Sequence, residues 1–148
     1  MKTNKGSAGT VTCELCPKEC RLAAFERGDC GVRYNAGGEL HTLVYGKACS
    51  LHIDPMEKKP MFHFLPGTPI FSVATAGCNL HCKFCQNWQI SQKKPEEIDN
   101  ADAPPQFIVD NAISNGCRSI AYTYTDPTVF YEYTYDTARL AREAGLRN

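Results

Sequence analysis

Apolar residues in the second half of the chain alternate between two periodicities. Ile70-Phe71-Ser72-Val73-Ala74-Thr75 is a short run flanked by Pro69 and Gly77, which predicts a buried strand. Asp102-Ala103-Pro104-Pro105 then opens a helix through Phe107, Ile108, Ala112 and Ile113, with proline near its start and Asn115-Gly116 at its end. A second strand, Ser119 to Tyr124, stops at Thr125-Asp126-Pro127, and a second helix carrying Phe130, Tyr131, Tyr135, Ala138 and Ala141 runs to Gly145. Strand, helix, strand, helix predicts an α/β fold, a parallel sheet covered by helices with its working loops at the carboxyl ends of the strands. Leu146-Arg147-Asn148 stands where a third strand is expected to begin, so a truncated chain is expected.

The first half has a different texture. Residues 11–34 hold four cysteines punctuated by Pro17, Gly28 and Gly31, a segment with little core of its own unless a metal cross-links it. Asn35-Ala36-Gly37-Gly38 separates Val32-Arg33-Tyr34 from Leu40 to Tyr45 and predicts a hairpin. From Ile53 to Pro69, prolines 55, 60, 66 and 69 break any helix or central strand, so a structured connecting loop is expected. Its Lys58-Lys59 pair and His63 are open to two readings, a face toward a ligand or a solvated pair with a packed histidine. The expected organisation is a disordered start over 1–10, a cysteine-rich module with hairpin and Pro-rich connector over 11–68, and two βα units over 69–148.

Composition narrows the function classes. The 148 residues are 43% hydrophobic, and 16 Lys+Arg balance 16 Asp+Glu for a formal net charge of +0. That is a folded-protein composition without the basic footprint of a nucleic-acid binder. Met1 to Thr10 has no apolar core, and no stretch reaches the roughly 20 apolar residues of a membrane span. A cytoplasmic protein is expected. Nine cysteines fit metal ligation in a reducing compartment better than a disulfide framework, because the number is odd and seven fall into two tight groups. Cys49 and Cys117 stand alone and read as small core residues.

The group Cys78-Asn79-Leu80-His81-Cys82-Lys83-Phe84-Cys85 follows the first strand directly, with a C-x3-C-x2-C spacing. A 4Fe-4S cluster is ordinarily held by four thiolates. Three on one loop imply a distant fourth or an iron left open for chemistry. Within the loop, His81 and Lys83 read as exposed spacers, and Trp88 just after it as a packing residue. The group Cys13, Cys16, Cys20 and Cys30 offers four thiolates, the number for tetrahedral zinc or a closed second iron-sulfur cluster, and both remain open.

The C-x3-C-x-aromatic-C loop resembles the cluster loop of the radical S-adenosylmethionine (SAM) superfamily. Cys13-Glu14-Leu15-Cys16-Pro17, Gly31-Val32-Arg33, Asp54 to Pro60, Phe62 to Gly67 and Cys85-Gln86-Asn87-Trp88 resemble the radical SAM enzymes of the AmmeMemoRadiSam system, relatives of the activating enzyme of pyruvate formate-lyase. The resemblance implies the N-terminal part of a partial (β/α) barrel and a 4Fe-4S cluster on Cys78, Cys82 and Cys85. It further implies reductive cleavage of SAM to a 5′-deoxyadenosyl radical. Phe84 is expected near adenine, against the alternative of packing beside the cluster. Asp126 stands where the family usually has an acidic turn meeting the SAM amino group, against the alternative of a turn or cap former. Implied partners are SAM, an electron donor such as flavodoxin or ferredoxin, and a protein substrate. The rival readings are a non-catalytic zinc or iron-sulfur electron-transfer module and a conventional methyltransferase. No G-x-G-x-x-G loop follows either strand to support the latter.

Overall fold

The structure, a computed structural model, describes residues 9–148; the expected disordered start lies, as far as Ala8, outside the described residues. Two short antiparallel ladders come first. β1 (Val11–Thr12) pairs with β2 (Arg21–Leu22), and β3 (Arg33–Asn35) with β4 (Leu40–Thr42), the latter forming the expected hairpin. Asn35 is fully buried and ties the two ladders: its Nδ2 donates to the carbonyls of Gly9 and Leu22, and its Oδ1 accepts from Gly38 N.

β5 (Lys47–Ala48) leads into β6 (Ser50–Pro55), which pairs antiparallel with β7 (Pro69–Ala74) in six registered pairs from Ser50↔Ala74 to Pro55↔Pro69. The expected loop from Ile53 is therefore strand as far as Pro55. The prolines do not forbid this, because β6 is the edge of the sheet and Pro55 is its last residue. A 3-10 turn at Met56–Lys58 begins the true connector. β7 is buried along nearly its whole length, as its apolar run required.

After the cysteine loop come a single helical turn, α1 (Trp88–Ser91), and β8 (Ala101–Asp102), which pairs with β5. α2 (Pro105–Ser114), β9 (Ser119–Tyr122) and α3 (Tyr131–Glu143) complete the alternation. β9 lies parallel to β7 in a sheet of order β6-β7-β9, and Ser119 forms a further parallel bridge with Arg147. A third parallel strand thus begins at the expected place.

The helices face the sheet with a different phase from that expected. The buried stripe of α2 is Ile108, Val109 and Ala112, leaving Phe107 and Ile113 exposed; that of α3 is Tyr133, Thr137 and Ala141, leaving Tyr131 and Tyr135 exposed. In α3 the buried positions continue from Phe130 through Tyr133, Thr137 and Ala141 as one helical stripe, and Tyr131 and Tyr135 lie off that face. Together with Phe71, Val73, Ile120, Val129 and Phe130, these side chains form one core that also takes in Val32 and Val44. The cysteine-rich segment and the βα units share that core.

Two local features fix the site side of the sheet. Asp54 on β6, only 5% exposed, accepts from Lys58 Nζ, Lys59 Nζ and Ser72 Oγ, each at 2.7 Å, and from the Tyr124 hydroxyl. Burial pushes its pKa up, but the bonds from Lys58, Lys59, Tyr124 and Ser72 outweigh it and hold the carboxyl well below the ordinary range. The second feature is Gly77, whose φ is +85°. A Cβ there would lie 2.4 Å from the Cys30 carbonyl oxygen and 2.5 Å from Val32 Cγ1.

Asp54→Asn leaves Lys59 without its anion and is expected to cost about 3 kcal/mol in urea unfolding at neutral pH. Because the folded pKa is the lower one, this contribution is full above the ordinary Asp range of about 4 and is lost as pH falls toward the depressed value. The variant should therefore show a shallower loss of stability below about pH 5 than the parent. Gly77→Ala combines a left-handed φ with a backbone clash and should cost about 2–4 kcal/mol. Gly67→Ala, with φ +71° and open space around it, should cost about 1 kcal/mol on the same curves.

Candidate active site

β7 delivers the chain through Thr75-Ala76-Gly77 to the three-cysteine loop, and β9 delivers it to Thr123-Tyr124-Thr125-Asp126-Pro127. Both segments emerge at carboxyl ends of parallel neighbours and meet across a cleft of about 730 Å³. Cys78, Cys82 and Cys85 line one wall, and Thr123 to Pro127 the other, with Lys58, Lys59, Gln86, Asn87 and Ser91 between. A cleft of this size suits a nucleoside-sized ligand.

The thiols differ in depth: Cys78 is buried, Cys85 partly so and Cys82 exposed. Cys85 N donates to Cys82 O at 3.2 Å, a tight turn between the last two. Ser91, buried on α1, places its Oγ 3.4 Å from Cys85 Sγ, and Gly77 N donates to Ile90 O, so α1 backs the loop. The donor set itself, three soft thiolates with no fourth on the loop, fits an iron-sulfur cluster with one open iron. Among the described residues, no three Cys, His, Asp or Glu side chains are already gathered as they would be around a bound ion.

Asp126 lines the cleft, and its Oδ1 accepts from Thr128 N at 2.8 Å, capping the 3-10 turn. Cap and cleft position are thus compatible. Tyr124 adopts φ +66°, unusual for an aromatic residue, and this turns its hydroxyl onto Asp54. Lys59 Nζ lies 4.4 Å from the centroid of its ring, and Lys58 is half-exposed over the same wall. Lys58-Lys59 therefore face the cleft, paired to Asp54, while His63 is exposed and off the lining.

Phe84 is 87% exposed and not part of the lining, so its ring does not reach the cleft wall. Trp88 is also exposed where packing was expected. It is the first residue of the single-turn α1. His81 is not a free spacer: its Nε2 lies 2.8 Å from Asp29 Oδ2 and its Nδ1 2.8 Å from Gln92 Oε1. The Asp29 bond and then the Gln92 bond raise its pKa above the ordinary value. Sequence reasoning assigned no role to Ser91, Asn87 or Asp54; the acid standing shortly before the Lys58-Lys59 pair was the available signal for the last.

Cys13, Cys16, Cys20 and Cys30 all line one small cavity of about 20 Å³, with Lys18, Arg33 and Asn79. The Arg33 guanidinium beside it donates to Glu132 at 2.7 Å through Nη1 and to Val129 O at 3.1 Å through Nη2. Burial raises the thiol pKa of Cys13 and Cys30, with Arg33 opposing. Of the lone cysteines, Cys117 lies in the core as expected, while Cys49 is only partly buried, its thiol pushed up to about 11 by that burial. Among the described residues, no helix is long and apolar enough to cross a membrane.

A protein of Methanocaldococcus jannaschii, itself uncharacterised, is 51% identical over 138 residues, 93% of this chain and 41% of the relative. The chain thus spans about 41% of the length of that curated relative. No solved structure matches. The sequence profile of the radical SAM superfamily matches residues 72–148, from the middle of β7 through the cysteine loop, β9 and α3. The segment that builds both walls of the cleft is therefore the matched one, and the chain belongs to the radical SAM superfamily.

Proposed function

We propose that Cys78, Cys82 and Cys85 hold a 4Fe-4S cluster at the wall of the cleft. SAM binds beside it and is reductively cleaved to methionine and a 5′-deoxyadenosyl radical. The observation that carries this reading is the shared cleft, with three thiols on one wall and the Thr123–Pro127 turn on the other. When bound, the cluster supplies the electron that breaks the sulfur to C5′ bond, and the protein orients the reactants.

The chain's own residues account for that orientation. Ser91 and α1 fix the Cys85 side of the loop, and Gly77 fixes the Cys78 side. Thr128 N holds one Asp126 oxygen, so the carboxylate is oriented and its second oxygen is available to an ammonium such as that of SAM. Asn87, Gln86 and Thr125 supply neutral polar groups around the same space. For Phe84 the expected adenine contact runs through the loop backbone, because its ring stands outside the lining.

Superfamily membership favours this reading over a non-catalytic metal module. The proposal extends, by the motif resemblance, to an AmmeMemoRadiSam-type or glycyl-radical-activase-like enzyme of the cytoplasm that draws an electron from flavodoxin or ferredoxin. A protein substrate and continuation of the sheet into a partial barrel belong to the same proposal.

Anaerobic reconstitution of the full-length protein, followed by addition of a chemical reductant in the presence of SAM, should yield 5′-deoxyadenosine. Cys82→Ala should abolish it. Asp126→Ala should raise the KM for SAM roughly tenfold or more, the value of one charge-assisted hydrogen bond. Failure of the reconstituted parent to form 5′-deoxyadenosine would overturn the reading, and S-adenosylhomocysteine in its place would point to methyl transfer.

A further inference from the structure

We propose that Cys13, Cys16, Cys20 and Cys30 close on a single zinc ion. This ion would clamp the cysteine-rich segment beneath the triad loop and is not a second iron-sulfur cluster.

Size separates the two metals that the spacing leaves open. The cavity shared by the four thiols measures about 20 Å³, room for about one water-sized body. A four-iron, four-sulfide core would have to displace Arg33, Asn79 and Val129, which line the same space and belong to the packed interior. One ion would ask only that the four cysteine side chains, which border the cavity without being gathered around a common point, turn into it. Four thiols would bind it by releasing four protons, with no change of oxidation state.

Charge and hydrogen bonding agree. Zinc with four thiolates carries a net charge of about −2 and needs donors around it. Arg33 is buried, only 2% exposed, and its two terminal nitrogens are spent on Glu132 and Val129. Its Nε, however, has no partner among the described residues. A buried, unpaired N–H on a cation lining a four-thiol cavity matches the need of a thiolate sulfur for a donor. Lys18, also on the lining, adds a second cation, held by Asp29 at 2.7 Å.

The ion would act at a distance on the triad loop through contacts already present. The Cys30 carbonyl sits under Gly77, next to Cys78; Asp29 bonds His81 inside the loop; and Asn79 borders both groups of cysteines. Fixing Cys30 therefore fixes the floor of the loop.

The test is metal analysis of the full-length protein, purified anaerobically, with zinc release by a thiol-blocking mercurial read by a zinc dye. About one zinc per chain is expected. The triple variant Cys78→Ala, Cys82→Ala, Cys85→Ala should keep it, while Cys16→Ser should lower it at least tenfold. Should Cys16→Ser fail to fold, cobalt(II) substituted into the triple variant should give the visible spectrum of a tetrahedral tetrathiolate. Iron and sulfide retained by the triple variant, or no zinc in the parent, would overturn the proposal. So would a cobalt spectrum without thiolate bands. None of these readouts depends on SAM turnover.

Discussion

The approach of Gly77 to the Cys30 carbonyl is the constraint on which the rest of the site depends. At the end of β7 the chain must leave the sheet, turn through a left-handed φ and pass over the cysteine-rich segment at a distance that admits no side chain. Only glycine meets both demands at small cost. The result is that the loop holding Cys78, Cys82 and Cys85 does not hang from a strand end as an isolated excursion. It rests on residues some fifty positions earlier in sequence, and His81 bonding to Asp29 makes a second attachment of the same kind.

Opposite that floor, the other wall is set by buried charge. Asp54 collects two ammonium groups, a serine and a tyrosine, and so outweighs the cost of burying a carboxylate. The same bonds draw Tyr124 into a backbone conformation that costs about 1–3 kcal/mol for a residue with a side chain. Strain at Tyr124 and the stable ion cluster are two sides of one arrangement, which aims the Thr125-Asp126-Pro127 turn into the cleft. Arg33 with Glu132 plays a comparable part lower down, joining the hairpin to α3 across the buried interior.

Much of this was legible in the chain. The alternation of strand and helix, the hairpin around Gly37-Gly38, the position of the cysteine loop after Ile70–Thr75 and its sharing of a face with Asp126 all follow from local patterns and from the rule for parallel sheets. Where the reading slipped, a tertiary context replaced a local preference. Prolines 55 and 69 argued against strand, yet pair across β6 and β7 because one of these strands is an edge. Tyr131 and Tyr135 stand four apart as a helical stripe would but face solvent, because the face turned to the interior is that of Phe130, Tyr133, Thr137 and Ala141. Trp88, expected to pack, faces solvent, while His81 is exposed as expected but held by hydrogen bonds to Asp29 and Gln92 that no local window contains.

The sequence by itself determined the element order, the two cysteine groups and the kind of chemistry a three-thiol loop invites, because spacing and periodicity are properties of neighbours along the chain. Only the tertiary structure decided that the groups lie against one another, that four thiols share a space of about 20 Å³, and that Lys58 and Lys59 face the cleft through Asp54. Those facts depend on which surfaces a buried strand, an edge strand and a close glycine contact bring together. Contacts between residues tens of positions apart are set by packing of the whole core, and no short stretch of sequence encodes them.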